Sequence, residues 1–137
     1  MTSSPLAPAW LEQPRDANDL PETVWPAHAL RGASGSLQLA GVDAKELAAQ
    51  FGTPLYVMDD ADVRARAEHA RECFEREFAR VGSSAKVYYA GKAFLSAEVA
   101  RWVTDAGLSI DVCSGGELAV ALAAGIAPER LGFHGNN

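Results

Sequence analysis

Strand-like and helical segments alternate along the second half of this 137-residue chain, and this alternation restricts the fold more than any other feature. Residues 86–90, 108–112 and 131–134 are short runs with the apolar and aromatic character of strands. Helical periodicity separates them at residues 95–106 and 117–124. Such alternation over short connections predicts an α/β fold with a parallel sheet, of the doubly wound or (β/α)8 type, whose three strands lie side by side in sequence order.

Two further helices are predicted ahead of this sheet. Residues 60–81 carry apolar residues at three- and four-residue steps, which predicts an amphipathic helix with one buried stripe, Val63, Ala67, Ala70, Phe74, Phe78 and Val81. A shorter helix is predicted to begin after Asp43, because Glu46 follows at the spacing of a capping box, and to end before Gly52. The apolar run at residues 55–58 has the length of a strand.

The chain is expected to be only a part of a larger enzyme. Residues 1–30 contain five prolines and no regular period, which predicts an irregular tail, and residues 36–40 alternate like a short strand. Three parallel strands cannot close a barrel, so the apolar strand residues are expected to be incompletely covered: Val87, Tyr89, Leu108, Ile110 and Val112. We therefore expect these 137 residues alone to be inactive and marginally stable.

Composition and charge exclude several classes of function. Apolar residues make up 48% of the chain and charged residues 22%, as in folded proteins rather than disordered ones. The net charge of −6 argues against nucleic-acid and anionic-membrane partners. Two widely separated cysteines predict neither a metal site nor a disulfide framework. No secretory signal begins the chain, and its longest apolar run is half of the roughly 20 residues that span a membrane, so a cytoplasmic location is expected.

The candidate site follows from the predicted topology. In barrels and open α/β sheets, ligands bind beyond the carboxyl ends of the strands. Residues 91–93, 111–117 and 134–137 should therefore converge. Together they supply a lysine, two carboxylates, a histidine and asparagines, and the candidates are Lys92, Asp111, Glu117, His134 and Asn136.

Lys92 is the strongest of these candidates. The chain has three lysines, of which Lys45 lies in the first turn of a helix and Lys86 at the start of a strand, whereas Lys92 alone ends a strand. A lysine in that position can form a Schiff base with an aldehyde cofactor. The other candidates have simpler explanations that stay open. Asp111 could just end its strand, Glu117 could interact with a helix dipole, and a lone histidine is more often structural than catalytic.

Four motifs give the chain a resemblance to a known family. Residues 88–95, Tyr-Tyr-Ala-Gly-Lys-Ala-Phe-Leu, resemble the cofactor-lysine motif of the fold-type III, alanine-racemase-like pyridoxal-phosphate enzymes. Residues 111–118, Asp-Val-Cys-Ser-Gly-Gly-Glu-Leu, are similar to their second-strand segment, and residues 51–57 resemble the entry to their barrel domain. Residues 133–137, Phe-His-Gly-Asn-Asn, resemble the third-strand end in diaminopimelate decarboxylases. Gly91 replaces another small or β-branched residue, and no functional consequence is expected.

The resemblance implies a fold, a cofactor and an activity. It implies that residues 43–137 are the N-terminal portion of a (β/α)8 barrel, about three βα units, and that residues 31–42 contribute a strand to a second β-domain. It implies Lys92 as the residue that holds pyridoxal 5′-phosphate, surrounded by Asp111, Glu117, His134 and Asn136. The implied reaction is decarboxylation of meso-2,6-diaminopimelate to L-lysine with release of carbon dioxide, by a homodimer.

Two alternatives remain open from the sequence. Another enzyme of the same fold type would keep the cofactor and change the substrate, as in ornithine, arginine or carboxynorspermidine decarboxylase or alanine racemase. A non-enzymatic α/β module would instead bind a small ligand or a partner at the strand ends. Absorbance of bound cofactor would separate an enzyme of either kind from the non-enzymatic module.

Overall fold

Residue 16 and residues 18–135 are described by the computed structural model of the chain. They belong to two compact units, one up to Gln50 and the other from Phe51, and each unit has a sheet of its own. Asn136, one of the predicted site residues, lies outside the described residues, as does most of the predicted tail. In the described part of the chain, no helix is long and apolar enough to cross a membrane.

The first unit contains a small antiparallel sheet. Its strands are β1 (Ala29–Arg31), β2 (Leu37–Leu39) and β3 (Val42–Asp43), in that order across the sheet. The two residues between β2 and β3 both have positive φ, +48° at Ala40 and +82° at Gly41, as the tight hairpin turn with right-handed strand twist requires. Strand β2 was predicted. Strands β1 and β3 were not predicted, and β1 begins inside the predicted tail.

The helix that follows begins and ends as the sequence predicts. Helix α1 spans Ala44–Phe51, and the backbone N–H of Lys45 donates to the Asp43 carboxylate at 2.8 Å. This bond satisfies one of the amide groups that a helix start leaves without an internal partner. Gly52 follows at φ +80°, a left-handed conformation that a residue with a side chain adopts at a cost.

The second unit has the predicted alternation of helices and parallel strands. Its elements are α2 (Asp60–Ala79), β4 (Tyr88–Ala90), α3 (Ala97–Asp105), β5 (Ser109–Val112), α4 (Gly115–Ala123) and β6 (Leu131–Phe133). The three strands are parallel and lie in sequence order, with Tyr89 opposite Ile110 and Ile110 opposite Leu131. The carboxyl ends of β4, β5 and β6 therefore lie at one edge of the sheet.

Strand β5 carries the core of this unit. Ile110 and Val112 have no exposed surface, and they belong to one apolar cluster with Val99 and Val103 of α3 and Ala121 of α4. The expectation that Leu108, Ile110 and Val112 are incompletely covered was therefore wrong, because α3 and α4 cover the central strand. Val87 and Tyr89, next to or within the edge strand β4, are half-buried.

The predicted buried stripe of α2 is only partly correct. Ala67 is buried, but Phe74 is 51% exposed, Phe78 is 41% exposed, and Val81 lies beyond the end of the helix. The helix has 20 residues and is therefore about 30 Å long, whereas a three-residue strand spans about 10 Å. In its second half, Phe74 and Phe78 line a pocket with residues 84–88, at the start of β4, and are covered only in part. Residues 55–58 are not a strand, since neither sheet includes them and Tyr56 is 95% exposed.

Three arginines join neighbouring elements at the amino ends of the strands. Arg71 of α2 donates from Nε to the Ala106 carbonyl after α3 at 3.0 Å, and Arg101 of α3 donates to the Ala124 carbonyl after α4 at 3.3 Å. Arg130 donates to the Leu108 carbonyl ahead of β5 at 3.1 Å. Carbonyl groups after a helix have no partner within it, so these bonds also complete the ends of α3 and α4.

Candidate functional site

Lys92 lies in a tight turn at the carboxyl end of β4. The strand ends at Ala90, and Gly91–Ala93 form one turn of 3-10 helix. The hydroxyl group of Tyr89 donates to the Phe94 carbonyl at 2.6 Å and so bridges the two ends of this turn. Burial raises the pKa of Tyr89, which keeps that hydroxyl protonated as the donor. The Lys92 side chain is exposed, at the edge where the sequence places it.

Asp111 and His134, which the sequence predicts separately, form a pair. Asp111 lies in β5 and His134 follows β6, and the Asp111 carboxylate is 2.5 Å from Nδ1 of the imidazole. The backbone N–H of His134 also donates to the Val112 carbonyl at 3.0 Å, which continues the ladder between β5 and β6 by one residue. The carboxylate is 25% exposed and the imidazole 59%, so the pair borders solvent. Nε2 of His134 lies on the side of the ring away from Nδ1.

Glu117 is hydrogen-bonded to residues of the loop between β5 and α4. Its backbone N–H donates to Oγ of Ser114, the residue that caps the helix, at 3.2 Å, and the Ser114 hydroxyl donates back to the Glu117 carboxylate at 3.0 Å. The backbone N–H of Cys113 donates to the same carboxylate at 3.0 Å. That N–H group is the main reason why the pKa of Glu117 is lowered, and the Ser114 hydroxyl adds to it. Glu117 is therefore a carboxylate with several hydrogen bonds to its own loop.

The Cys113 thiol lies among several of the candidate residues. Its thiol donates to Glu117 at 3.4 Å, and this hydrogen bond, followed by burial and the charge of Glu117, raises the pKa of the thiol. The charge of Lys92 lowers the same pKa and that of Asp111 raises it. The charge of His134 acts on Glu117. Cys113 thus stays protonated and is not an activated nucleophile, in agreement with the sequence interpretation.

Gly91 packs closely against the end of β5. The residue is buried, and a Cβ atom there would be 2.9 Å from the Asp111 carbonyl oxygen and 3.2 Å from Oε2 of Glu117. That glycine at this position has no functional consequence stays a prediction. The sequence gives no sign of a backbone approaching another backbone. Ser114 and Glu117, by contrast, have the Ser-x-x-Glu spacing of a capping box, a signal that could have been recognised.

The residues of the candidate site fit an aldehyde cofactor better than a metal ion. Within the described residues, no group of three or more His, Cys, Asp and Glu side chains could hold a metal. The edge of the sheet at which the strands end carries an exposed primary amine, two carboxylates and an imidazole. Lys86 is used elsewhere, because its amine donates to the Glu129 carbonyl at 2.9 Å and lies 5.2 Å from the centre of the Tyr88 ring.

Comparison with known families indicates which kind of cofactor is implied. The family described as "Pyridoxal-dependent decarboxylase, pyridoxal binding domain" matches residues 60–137, more than half of the chain. The chain belongs to this family. In a pyridoxal-dependent decarboxylase the implied cofactor is pyridoxal phosphate, and the chemistry of the amine and its neighbours agrees with it.

Curated pyridoxal-dependent decarboxylases similar to this chain are named diaminopimelate decarboxylase. The protein of Mycobacterium tuberculosis is 48% identical over 118 residues, which are 86% of this chain and 25% of the relative. That of Mycobacterium leprae is 43% identical over 99% of this chain and 27% of the relative, and that of Bacillus subtilis is 50% identical over 75% and 23%. The chain thus spans about a quarter of the length of these relatives.

Solved structures confirm the fold class. The crystal structure of diaminopimelate decarboxylase from M. jannaschii superimposes with a TM-score of 0.69 at 33% identity, over 82% of this chain and 26% of the other. A second structure of that enzyme, in complex with L-lysine, gives the same values. The chain therefore has the α/β fold of the fold-type III decarboxylases and covers the N-terminal part of their barrel.

Proposed function

We propose that this chain is part of a diaminopimelate decarboxylase, which converts meso-2,6-diaminopimelate to L-lysine and carbon dioxide. The observation that carries the proposal is the position of Lys92, an exposed amine at the carboxyl end of β4 in the same environment as Asp111, Glu117 and His134. The names of the relatives support the reaction, and the complex of the M. jannaschii enzyme with L-lysine supports the class of product.

Each candidate residue has a proposed role that follows from its contacts. Lys92 attaches the cofactor, which, once bound, supplies the electron sink for the bond that breaks when the carboxylate leaves. Asp111 holds His134 through Nδ1, so that Nε2 is oriented to exchange a proton or a hydrogen bond with a ligand. Because both residues border solvent at the sheet edge that also carries Lys92, they would line the space in which the cofactor and substrate lie. Asn136 remains a predicted member of the site.

Attachment of the cofactor tests the role of Lys92 directly. Full-length protein is incubated with pyridoxal phosphate, reduced with borohydride and mapped by peptide mass spectrometry, and the adduct should lie on Lys92. A Lys92→Ala variant should lose the adduct, whereas Lys86→Ala should keep it. An adduct chiefly on Lys45 or Lys86 would contradict the assignment.

The substrate is tested by release of carbon dioxide. The full-length protein should release it from meso-2,6-diaminopimelate and form L-lysine, with ornithine and arginine as the competing substrates. Preference for ornithine or arginine, or racemisation of alanine without carbon dioxide, would keep Lys92 in its role and replace the proposed reaction. Failure to bind pyridoxal phosphate at all would favour the non-enzymatic ligand-binding alternative.

The arrangement of the complete protein is a proposal as well. We propose that the strand segment at residues 31–42 belongs to a second β-domain, that residues 43–137 belong to the cofactor-binding barrel, and that the enzyme acts as a cytoplasmic homodimer. The separate antiparallel sheet around β2 supports the first of these statements. Light scattering of the full-length protein tests the dimer.

A further inference from the structure

The turn that carries Lys92 has few restraints of its own. Gly91–Ala93 form a single turn of 3-10 helix, no side chain caps its start at Ala90, and the backbone is extended again at Phe94. Among the described residues, no group forms a hydrogen bond or an ion pair with the Lys92 amine. The position of this amine therefore depends on how firmly the backbone of the turn is held.

Tyr89 ties the far end of this turn to the strand. Its hydroxyl group donates to the Phe94 carbonyl at 2.6 Å. The donor is fixed, because Tyr89 pairs with Ile110 in the sheet and packs against the apolar cluster of the second unit. Packing does not fix the acceptor to the same extent, since Phe94 is 51% exposed. The hydrogen bond thus connects a residue that is held by the core to the residue at which the turn ends.

We infer that Tyr89 is a positioning residue, whose hydroxyl group holds the Lys92 turn so that the amine is presented in one place. The hydroxyl acts through the backbone, because its partner is the Phe94 carbonyl and not the amine. An amine that is already held in place reacts faster than one that samples several positions, since less order has to be created when the bond to the cofactor forms. The inference rests on the proposed attachment of pyridoxal phosphate to Lys92.

Removing one oxygen atom tests this role. In the full-length protein, Tyr89→Phe should slow the capture of pyridoxal phosphate at Lys92 by at least about threefold, because the ordering effect of one hydrogen bond on the turn is lost. Capture is measured by stopping samples with borohydride at timed intervals and quantifying the Lys92 adduct by peptide mass spectrometry. Tyr56→Phe is the matched control, because it removes the same atom from a residue that is 95% exposed. This control should capture the cofactor at the wild-type rate.

A second control separates positioning from loss of stability. Ile110→Val shortens a core side chain that has no exposed surface, and its expected loss of stability is similar to that of Tyr89→Phe. It leaves the bond across the turn in place and should capture the cofactor at the wild-type rate. If Tyr89 only supported the fold, both variants would be slowed equally. Equal slowing of the two, or slowing of Tyr89→Phe by less than about threefold, would overturn the inference.

Restoring a donor completes the experiment. Tyr89→4-aminophenylalanine keeps an N–H donor at the same point of the ring, so capture should return to the wild-type rate, and capture as slow as that of Tyr89→Phe would overturn the role of the hydrogen bond. If the wild-type adduct lies elsewhere than on Lys92, the proposed function fails and the inference with it. If the adduct lies on Lys92 and Tyr89→Phe matches its controls, the inference alone fails.

Discussion

At the scale of single residues, the site depends on side chains that are bonded to the backbone of a neighbouring strand or loop. His134 continues the ladder of β6 while its ring binds Asp111, and Glu117 binds the main chain at Cys113. Tyr89 bonds across the Lys92 turn. Lys92 is exposed beside the Tyr89 bond and has a free path to solvent, which suits a residue whose amine has to react.

The hydrogen bonds of Glu117 should make the stability of the protein depend on pH in the acid range. Its pKa is lowered from the ordinary 4.5, chiefly by the Cys113 N–H group, so the stabilisation is fully present above pH 4.5 and is lost as the pH falls through the lowered value. The melting temperatures of wild type and Glu117→Gln should therefore differ near pH 7 and converge as the pH falls below the lowered pKa. A difference that stays constant down to acid pH would contradict this prediction.

Removing the hydroxyl group of Tyr89 should destabilise the protein slightly. Tyr89→Phe loses the 2.6 Å bond to the Phe94 carbonyl and should cost about 0.5–1.5 kcal/mol, the net value of one hydrogen bond. Tyr56→Phe is the matched control, because Tyr56 is 95% exposed. Denaturant unfolding of both variants measures the difference, and equal midpoints would show that the bond is not formed in solution.

At the scale of elements, the second unit is organised around β5. Its residues alternate between two environments, with Ile110 and Val112 in the apolar cluster under α3 and α4, and Asp111 at the site. One short strand therefore contributes to the core and to the chemistry through the two-residue period of its side chains. Any change that shifts the register of β5 would damage both.

Shortening Ile110 should have a graded effect on stability. The residue has no exposed surface, so Ile110→Val should cost about 0.5–1.5 kcal/mol and Ile110→Ala about 2–5 kcal/mol. The shift of the urea midpoint measures both variants. Equal shifts would mean that the space around Ile110 collapses and refills, which a cluster contributed by four elements does not readily do.

How much of the fold and of the site could be predicted from the sequence depends on how far apart in the chain the interacting residues lie. The parallel sheet was predictable, because β4, β5 and β6 are apolar runs separated by helices, and their common edge followed from topology. The second half of α2 was not, because periodicity at Phe74 and Phe78 shows that one face is apolar but not whether a sheet lies beneath it. The close approach of Gly91 to Asp111 and Glu117 could not be predicted for a related reason, since only the fold brings these residues together.

At the scale of the whole molecule, many large apolar side chains of the second unit remain exposed. Phe94 is 51% exposed, Phe133 is 48% exposed and Tyr56 is 95% exposed. Among the described residues, β4 and β6 of the parallel sheet each pair with one strand and have one open edge. Open strand edges bearing apolar residues favour pairing with other chains.

Expressed by themselves, these 137 residues should therefore associate. We expect light scattering to show concentration-dependent oligomers and a dye for apolar surfaces to bind, together with a broad thermal transition. Full-length protein under the same conditions is the control. A monodisperse monomer with a sharp transition above about 65 °C, beyond the usual range for mesophilic domains, would show that the exposed surface is harmless.

The three arginine–carbonyl bonds have a consequence for how such a protein can evolve. The three arginines, Arg71, Arg101 and Arg130, join neighbouring elements of the second unit at the amino ends of the strands. The site residues Lys92, Asp111 and His134 lie at the opposite ends. Side chains around the cofactor can then be exchanged, and new substrates adopted, while the hydrogen bonds that join the elements stay intact. Selection can act on the two ends of this sheet separately, so related proteins can keep the same fold and catalyse different reactions.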